Sequence, residues 1–210
     1  MKNKITLSCA IVAIAIGVAA CGGKAPAPSA TTAPKPTTDL KASQKPDGGN
    51  AKGIPAAKKI PVPNNWIYIY DDVKGYGFYV PEGTKGDSSS EGGMNVFVAT
   101  TAAPAEVGMT VMAYKDKTLT KADLLDFAVK FLEEMGETVQ AGALSDEGPD
   151  FALADATSVD SDGKKSKMRI LVGTDVTDNY VMIVGAEESK FEANKEIIDA
   201  IWGSFEMWSL

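Results

Sequence analysis

Hydrophobic and polar positions change their period several times along this chain, and the order of those changes predicts its architecture. An apolar run, Ile5 to Gly17, opens the sequence, and residues 22–63 show no period at all. Alternation then begins at Trp66-Ile-Tyr-Ile-Tyr70, where Trp66, Tyr68 and Tyr70 share one face and Ile67 and Ile69 the other, the period of a strand. Tyr76 to Val80 repeats it, and Val80-Pro81-Glu82-Gly83 predicts a type I turn with Pro second and Gly fourth. A Gly/Ser loop is expected over Gly83 to Gly93, then strands over Met94 to Thr100 and Val107 to Tyr114.

The period switches to that of a helix at Thr120-Lys-Ala-Asp123. Thr120 is placed to cap free amides, and Leu124, Leu125, Ala128, Phe131, Leu132 and Met135 form an apolar stripe that Gly136 ends. Phe151 to Val159, Met168 to Val172 and Tyr180 to Val184 read as three strands of a meander, turning at Asp160-Ser-Asp-Gly163 and across Thr174 to Asn179. Ser189-Lys-Phe-Glu192 has capping-box spacing and opens a last helix through Ile197, Ile198, Ile201 and Trp202 to Gly203. Strands, a helix, more strands and a helix do not alternate as a parallel sheet requires. The expected fold class is therefore α+β, an antiparallel sheet with two main helices packed on it, over residues 64–210.

The opening run is too short to span a bilayer as a mature helix, which takes about 20 residues, and it follows the positive Met1-Lys-Asn-Lys4. It reads as the core of a secretory signal peptide, residues 1–20. Val18-Ala19-Ala20-Cys21-Gly22 resembles the lipobox of bacterial lipoproteins, in which an aliphatic and two small residues precede a cysteine. That resemblance implies lipid attachment at Cys21 and cleavage before it. Two or three acyl chains hold a protein durably where one holds it marginally. Gly22 in place of Asp is similar to the pattern that permits transfer to the outer membrane in bacteria with two membranes. The expected location is the cell envelope. An ordinary secretory cleavage site or a true transmembrane anchor is the alternative reading of the same run. Residues 21–63, rich in Pro, Ala, Thr and Lys, cannot bury enough apolar surface to order themselves and are expected to form a disordered tether.

Composition removes several kinds of chemistry. The 210 residues include no His, and the only cysteines are Cys9 and Cys21, so the body of the chain has neither intrachain disulfides, Cys-type zinc sites nor His-based catalysis. The net charge of −7 is unevenly spread. Nine of the 21 basic residues lie in 1–63 against only Asp39 and Asp47, which leaves 12 basic and 26 acidic residues, a net −14, in 64–210. A domain so acidic repels phosphate backbones, so nucleic acid is not an expected partner.

Gly75-Tyr-Gly-Phe-Tyr-Val-Pro-Glu-Gly83, the helix at Thr120 to Gly136 and the closing Phe191 to Phe205 segment together resemble the PsbP/Mog superfamily and its bacterial lipoprotein relatives. The first of these is similar to that family's opening "Y..GF.F..P..W" strand, without its tryptophan. The resemblance implies an α/β sandwich that binds protein partners or assists assembly of complexes, and no cofactor.

Candidate sites are few. Asp160, Asp162, Asp175 and Asp178 lie in two turns that a meander can place near one another, and such oxygens suit calcium; the twelve-residue calcium loop with its terminal Glu is absent, however, and turn-forming Asp explains them without a metal. No metal site is expected from them. Ser161-Asp-Gly-Lys164 fits Ser-x-x-Lys but sits in a hairpin turn, where a surface role is expected. Glu133-Glu134 and Glu187-Glu188 are explained by solvated helix surface or helix-start charge. Of the aromatics Trp66, Tyr68, Tyr70, Trp202, Phe205 and Trp208, most are expected in the core. Trp66, Phe205 and Trp208, near the ends of the domain, form a candidate recognition patch. The function expected is a non-catalytic, membrane-tethered lipoprotein that binds a protein partner or assists assembly; a small-ligand or cation-binding lipoprotein is the alternative.

Overall fold

The computed structural model describes residues 51–55, 60–91, 93–116, 119–175 and 178–208, all within one compact unit. The signal peptide, Cys21 and the tether through residue 50 lie outside the described residues.

Two antiparallel sheets and a few helices make up the domain. The strands are β1 (Lys52–Gly53), β2 (Trp66–Asp71), β3 (Tyr76–Pro81), β4 (Lys85–Glu91), β5 (Met94–Thr100) and β6 (Gly108–Lys115). After helix α1 (Lys121–Glu134) come β7 (Thr138–Ala141), β8 (Ser145–Asp146), β9 (Phe151–Val159), β10 (Lys165–Asp175) and β11 (Asp178–Glu187). Helices α2 (Glu188–Phe191) and α3 (Lys195–Gly203), and β12 (Glu206–Met207), close the chain. The large sheet runs β4-β5-β6-β11-β10-β9-β7, with β8 also on the outer edge of β9; the small one runs β1-β12-β3-β2.

Both faces of the large sheet are covered, which explains why its central strands read as nearly continuous apolar runs. Leu171, Tyr180, Met182 and Val184 point into one core. Their neighbours Ile170, Val172, Val181 and Ile183 point into the other, under Leu124, Ala128 and Leu132 of α1. The first core is shared with the small sheet and α3. At its centre Phe205, 1% exposed, has ring centroids 6.0–6.2 Å from Tyr76, Phe78, Phe151 and Tyr180. Offset and edge-on rings at such spacing add to simple area burial. The Tyr180 hydroxyl donates to the Lys74 carbonyl at 2.8 Å, so burial leaves it with a partner.

Local signals explain much of this. The Asp123 amide donates to Thr120 Oγ1 and the Thr120 amide to Asp123 Oδ2, a reciprocal cap at the start of α1. Gly136 ends that helix at φ +91°. The Asp160 carboxylate accepts from the amides of Asp162 and Lys164 in the β9–β10 turn.

Four expectations are corrected. The domain begins earlier than residue 64: Lys52–Gly53 pair with Glu206–Met207, and Ile54 is 1% exposed. A strand two residues long has no period to read. The Gly/Ser segment is not a loop but the edge strand β4, in register with β5 from Lys85↔Thr100 to Glu91↔Met94. A polar, serine-rich edge is what keeps a strand paired on one side only from adding others, and it hides the strand from a propensity reading. The turn after β3 is Pro81–Thr84, one residue later than expected. Thr84 donates from its amide to Pro81 O, and Gly83 stands third at φ +80°, where a type II turn requires glycine. Finally, Ser189 and Glu192 make no capping box. The closing helix is broken by a 3-10 turn at Glu192–Asn194, where the Asn194 side chain donates to Ala105 O and Lys190 O.

Candidate functional site

The acidic turns do not come together. Asp160 and Asp162 stand where β9 hands over to β10, and Asp175 and Asp178 face each other where β10 hands over to β11. Consecutive hairpin turns lie at opposite ends of the strand they share. β10 is 11 residues long, which at about 3.3 Å per residue separates the two pairs by roughly 30 Å. Three of the four carboxylates have local work: Asp160 closes its turn, Asp175 pairs with Lys52 at 2.8 Å, and Asp178 lies 3.6 Å from Lys115. No cluster of three metal-ligating side chains occurs among the described residues. Ser161 and Lys164 stand in the β9–β10 turn, and Lys164 pairs with Glu187 at 3.2 Å.

The aromatic patch is redrawn. Phe205 is at the centre of the core and unavailable to a partner. Trp66 is half-buried against the same core, and Trp208 is half-buried beside Tyr70, their rings 6.3 Å apart. What unites the remaining aromatics is the outer face of the small sheet. Met207 points into the core, so strand alternation turns Glu206 and Trp208 outward, next to Tyr68, Tyr70 and Tyr79.

Gly77 organises this face. It stands opposite Glu206 on β12 and Tyr70 on β2. A Cβ there would lie 2.4 Å from the Tyr68 hydroxyl oxygen and 2.7 Å from its Cζ. Glycine therefore lets the Tyr68 ring lie across β3, with Tyr79 at 4.9 Å and Tyr70 at 6.3 Å between ring centroids. The Tyr68 phenol faces the Glu206 side chain; burial, and then the negative charge of Glu206, push its pKa well above the usual tyrosine value. A phenol so held keeps its proton at neutral pH. Glu206 was not singled out from the sequence. The signal was present as polar-apolar-aromatic alternation over Glu206-Met-Trp208, but three residues are too few to separate a strand from a chain end.

A second charged cluster forms around Arg169, the chain's only arginine. Its Nε lies 2.8 Å from Asp199 Oδ1 and its guanidinium 5.8 Å from the Trp202 ring centre, which fastens α3 to β10. Trp202 Nε1 donates to the same carboxylate oxygen at 3.0 Å, and Lys195 pairs with Asp199 as well.

No protein-family model matches the chain, and no curated protein sequence matches it. Solved structures do. The solution structure of cyanobacterial PsbP (CyanoP) from Synechocystis sp. PCC 6803 aligns with a TM-score of 0.55 at 15% identity, covering 70% of this chain and 95% of that one. A crystal structure from Bacteroides thetaiotaomicron VPI-5482 aligns at 0.47 and 11% identity over 68% of this chain, which spans about half (48%) of that protein's length. At such identity the likeness is one of fold, and folds of this kind carry unrelated functions. The described domain has a PsbP-like fold, antiparallel sheets with few helices.

Proposed function

We propose that this chain is a bacterial envelope lipoprotein, held to a membrane by acylation at Cys21, whose domain is a non-catalytic module that binds a protein partner or assists assembly. In a host with two membranes its place is the outer one. The anchor rests on the order of positive residues, apolar run, small residues and cysteine over Met1 to Cys21. The observation that carries the recognition role is the outer face of the small sheet, where Tyr70, Tyr79 and Trp208 are half-buried on a rigid scaffold around Glu206. Large aromatics with few rotatable bonds lose little entropy on association and dominate contact energetics. The net −14 over 64–210 favours a partner of basic surface, by steering its approach. A protein-binding role also fits the fold, since partner or assembly roles are what the PsbP/Mog resemblance implies for its members.

The test is affinity purification from detergent-solubilised membranes, with the wild-type chain and with Trp208→Ala. A stoichiometric protein recovered by the first and lost by the second, at unchanged secondary structure, supports the proposal. Repeated failure to recover a partner, together with a positive turnover assay, overturns it.

A further inference from the structure

The domain's first strand carries features that packing alone does not require. β1 is two residues long and occupies the free edge of β12, the strand that also supplies Glu206 to the outer face and leads into Trp208. Its attachment is short but specific. Lys52 Nζ reaches Asp175 at 2.8 Å and Asp150 at 3.3 Å, ion pairs that join it to the β10–β11 turn and to the start of β9. Ile54 is the one fully buried apolar side chain of the segment, and Pro55 rests on Gly148: a Cβ at that glycine, whose φ is +110°, would lie 3.0 Å from Pro55 Cγ.

The geometry points to Lys52–Pro55 acting as a releasable strap, which joins the tether to β12 and opens ahead of the rest of the domain to free the β12 edge. This rests on the tethered, partner-binding reading above, since the strap is where the chain coming from Cys21 first enters the described fold. Two paired residues, one buried side chain, the Lys52 ion pairs and the Pro55 contact hold it. The β10–β11 ladder, by contrast, pairs ten residues on each strand from Ser166↔Glu187 to Asp175↔Asp178. Proteins open locally in the order of such attachments, smallest first. The Lys52 side chain is 39% exposed, so water reaches the pairs that close the strap. When it leaves, β12 keeps β3 on one side and gains an unpaired edge on the other. A partner's extended segment can add there, beside Glu206 and Trp208.

Hydrogen–deuterium exchange read by mass spectrometry on the mature chain tests this without needing the partner. In the wild type, peptides covering Lys52–Pro55 are expected to exchange at least about 100-fold faster than those of β10 and β11, yet measurably slower than unprotected amides. Lys52→Gln, and separately Ile54→Ala, are expected to speed the strap peptides by about tenfold, leaving β10 and β11 unchanged. Strap peptides that exchange together with the β10–β11 core, or as fast as unprotected amides in the wild type, overturn the inference, as does an unchanged strap rate in both variants. None of these outcomes depends on whether a partner is recovered, so failure of the strap and failure of the binding role are told apart.

Discussion

Arg169 and Asp199 meet Nε to Oδ1 at 2.8 Å, the arginine from the middle of β10 and the aspartate from inside α3, with side chains 16% and 8% exposed. Removing Asp199 leaves the largely buried guanidinium only the exposed carboxylate of Asp155, at 3.5 Å, and takes away the acceptor of Trp202 Nε1. Asp199→Ala is expected to lower unfolding free energy by ~3–5 kcal/mol, and the joint replacement Arg169→Met with Asp199→Leu by much less. Urea unfolding of the three variants checks this. A loss under ~1 kcal/mol for Asp199→Ala, the worth of an exposed pair, contradicts it.

Phe205 supplies the second prediction. Its ring is met by four aromatic neighbours within 6.2 Å, so Phe205→Ala should cost ~3–5 kcal/mol through lost transfer energy and an unfilled cavity. Trp208→Ala, at the half-buried face, should cost distinctly less. Equal denaturant midpoints for the two variants would place Phe205 outside the core.

These two contacts mark what the amino-acid pattern does and does not disclose. Long periodic segments are legible: the stripe from Leu124 to Leu132, the alternation at Trp66 to Tyr70, and the Asp160–Gly163 turn are read from residue types alone because local physics decides them. β4 is not, since Lys85 to Glu91 has poor strand propensity and is held by the register that β5 imposes. β1 and β12 are not, since each is two residues long, β1 pairing only with β12 and β12 lying between β1 and β3. The candidate site inherits this difficulty. Tyr68 and Glu206 lie 138 positions apart in sequence and meet only across Gly77.

The separation of the acidic turns predicts the response to calcium. With Asp160 and Asp162 at one end of β10 and Asp175 and Asp178 at the other, no described set of carboxylates surrounds an ion. About 1 mM calcium is expected to leave the melting temperature unchanged. A site of ~10 μM affinity would add ~2.7 kcal/mol at that concentration, an increase that differential scanning calorimetry resolves and that would contradict the arrangement described.

Lys52 gives a pH dependence with a definite sign. Its hydrogen bond to Asp175, and then that to Asp150, raise its pKa above the ordinary 10.5 in the folded state. A raised lysine contributes stability that is fully present below the unfolded value and is lost as pH rises through the folded one. The stability difference between wild type and Lys52→Gln should therefore be constant from neutral pH to about pH 10 and shrink above it. Equilibrium unfolding at stepped alkaline pH measures this; a difference that grows with alkalinity would contradict the assignment.

The central claim is that lipid at one sulfur atom holds this acidic domain at a membrane, where it meets its partner. Mass spectrometry of the N-terminal peptide of the protein isolated from its native membranes tests this most directly. The account predicts a chain that begins at Cys21 and carries acyl groups on it. A chain that retains Met1–Ala20, or one that begins at Cys21 with an unmodified thiol, would contradict it.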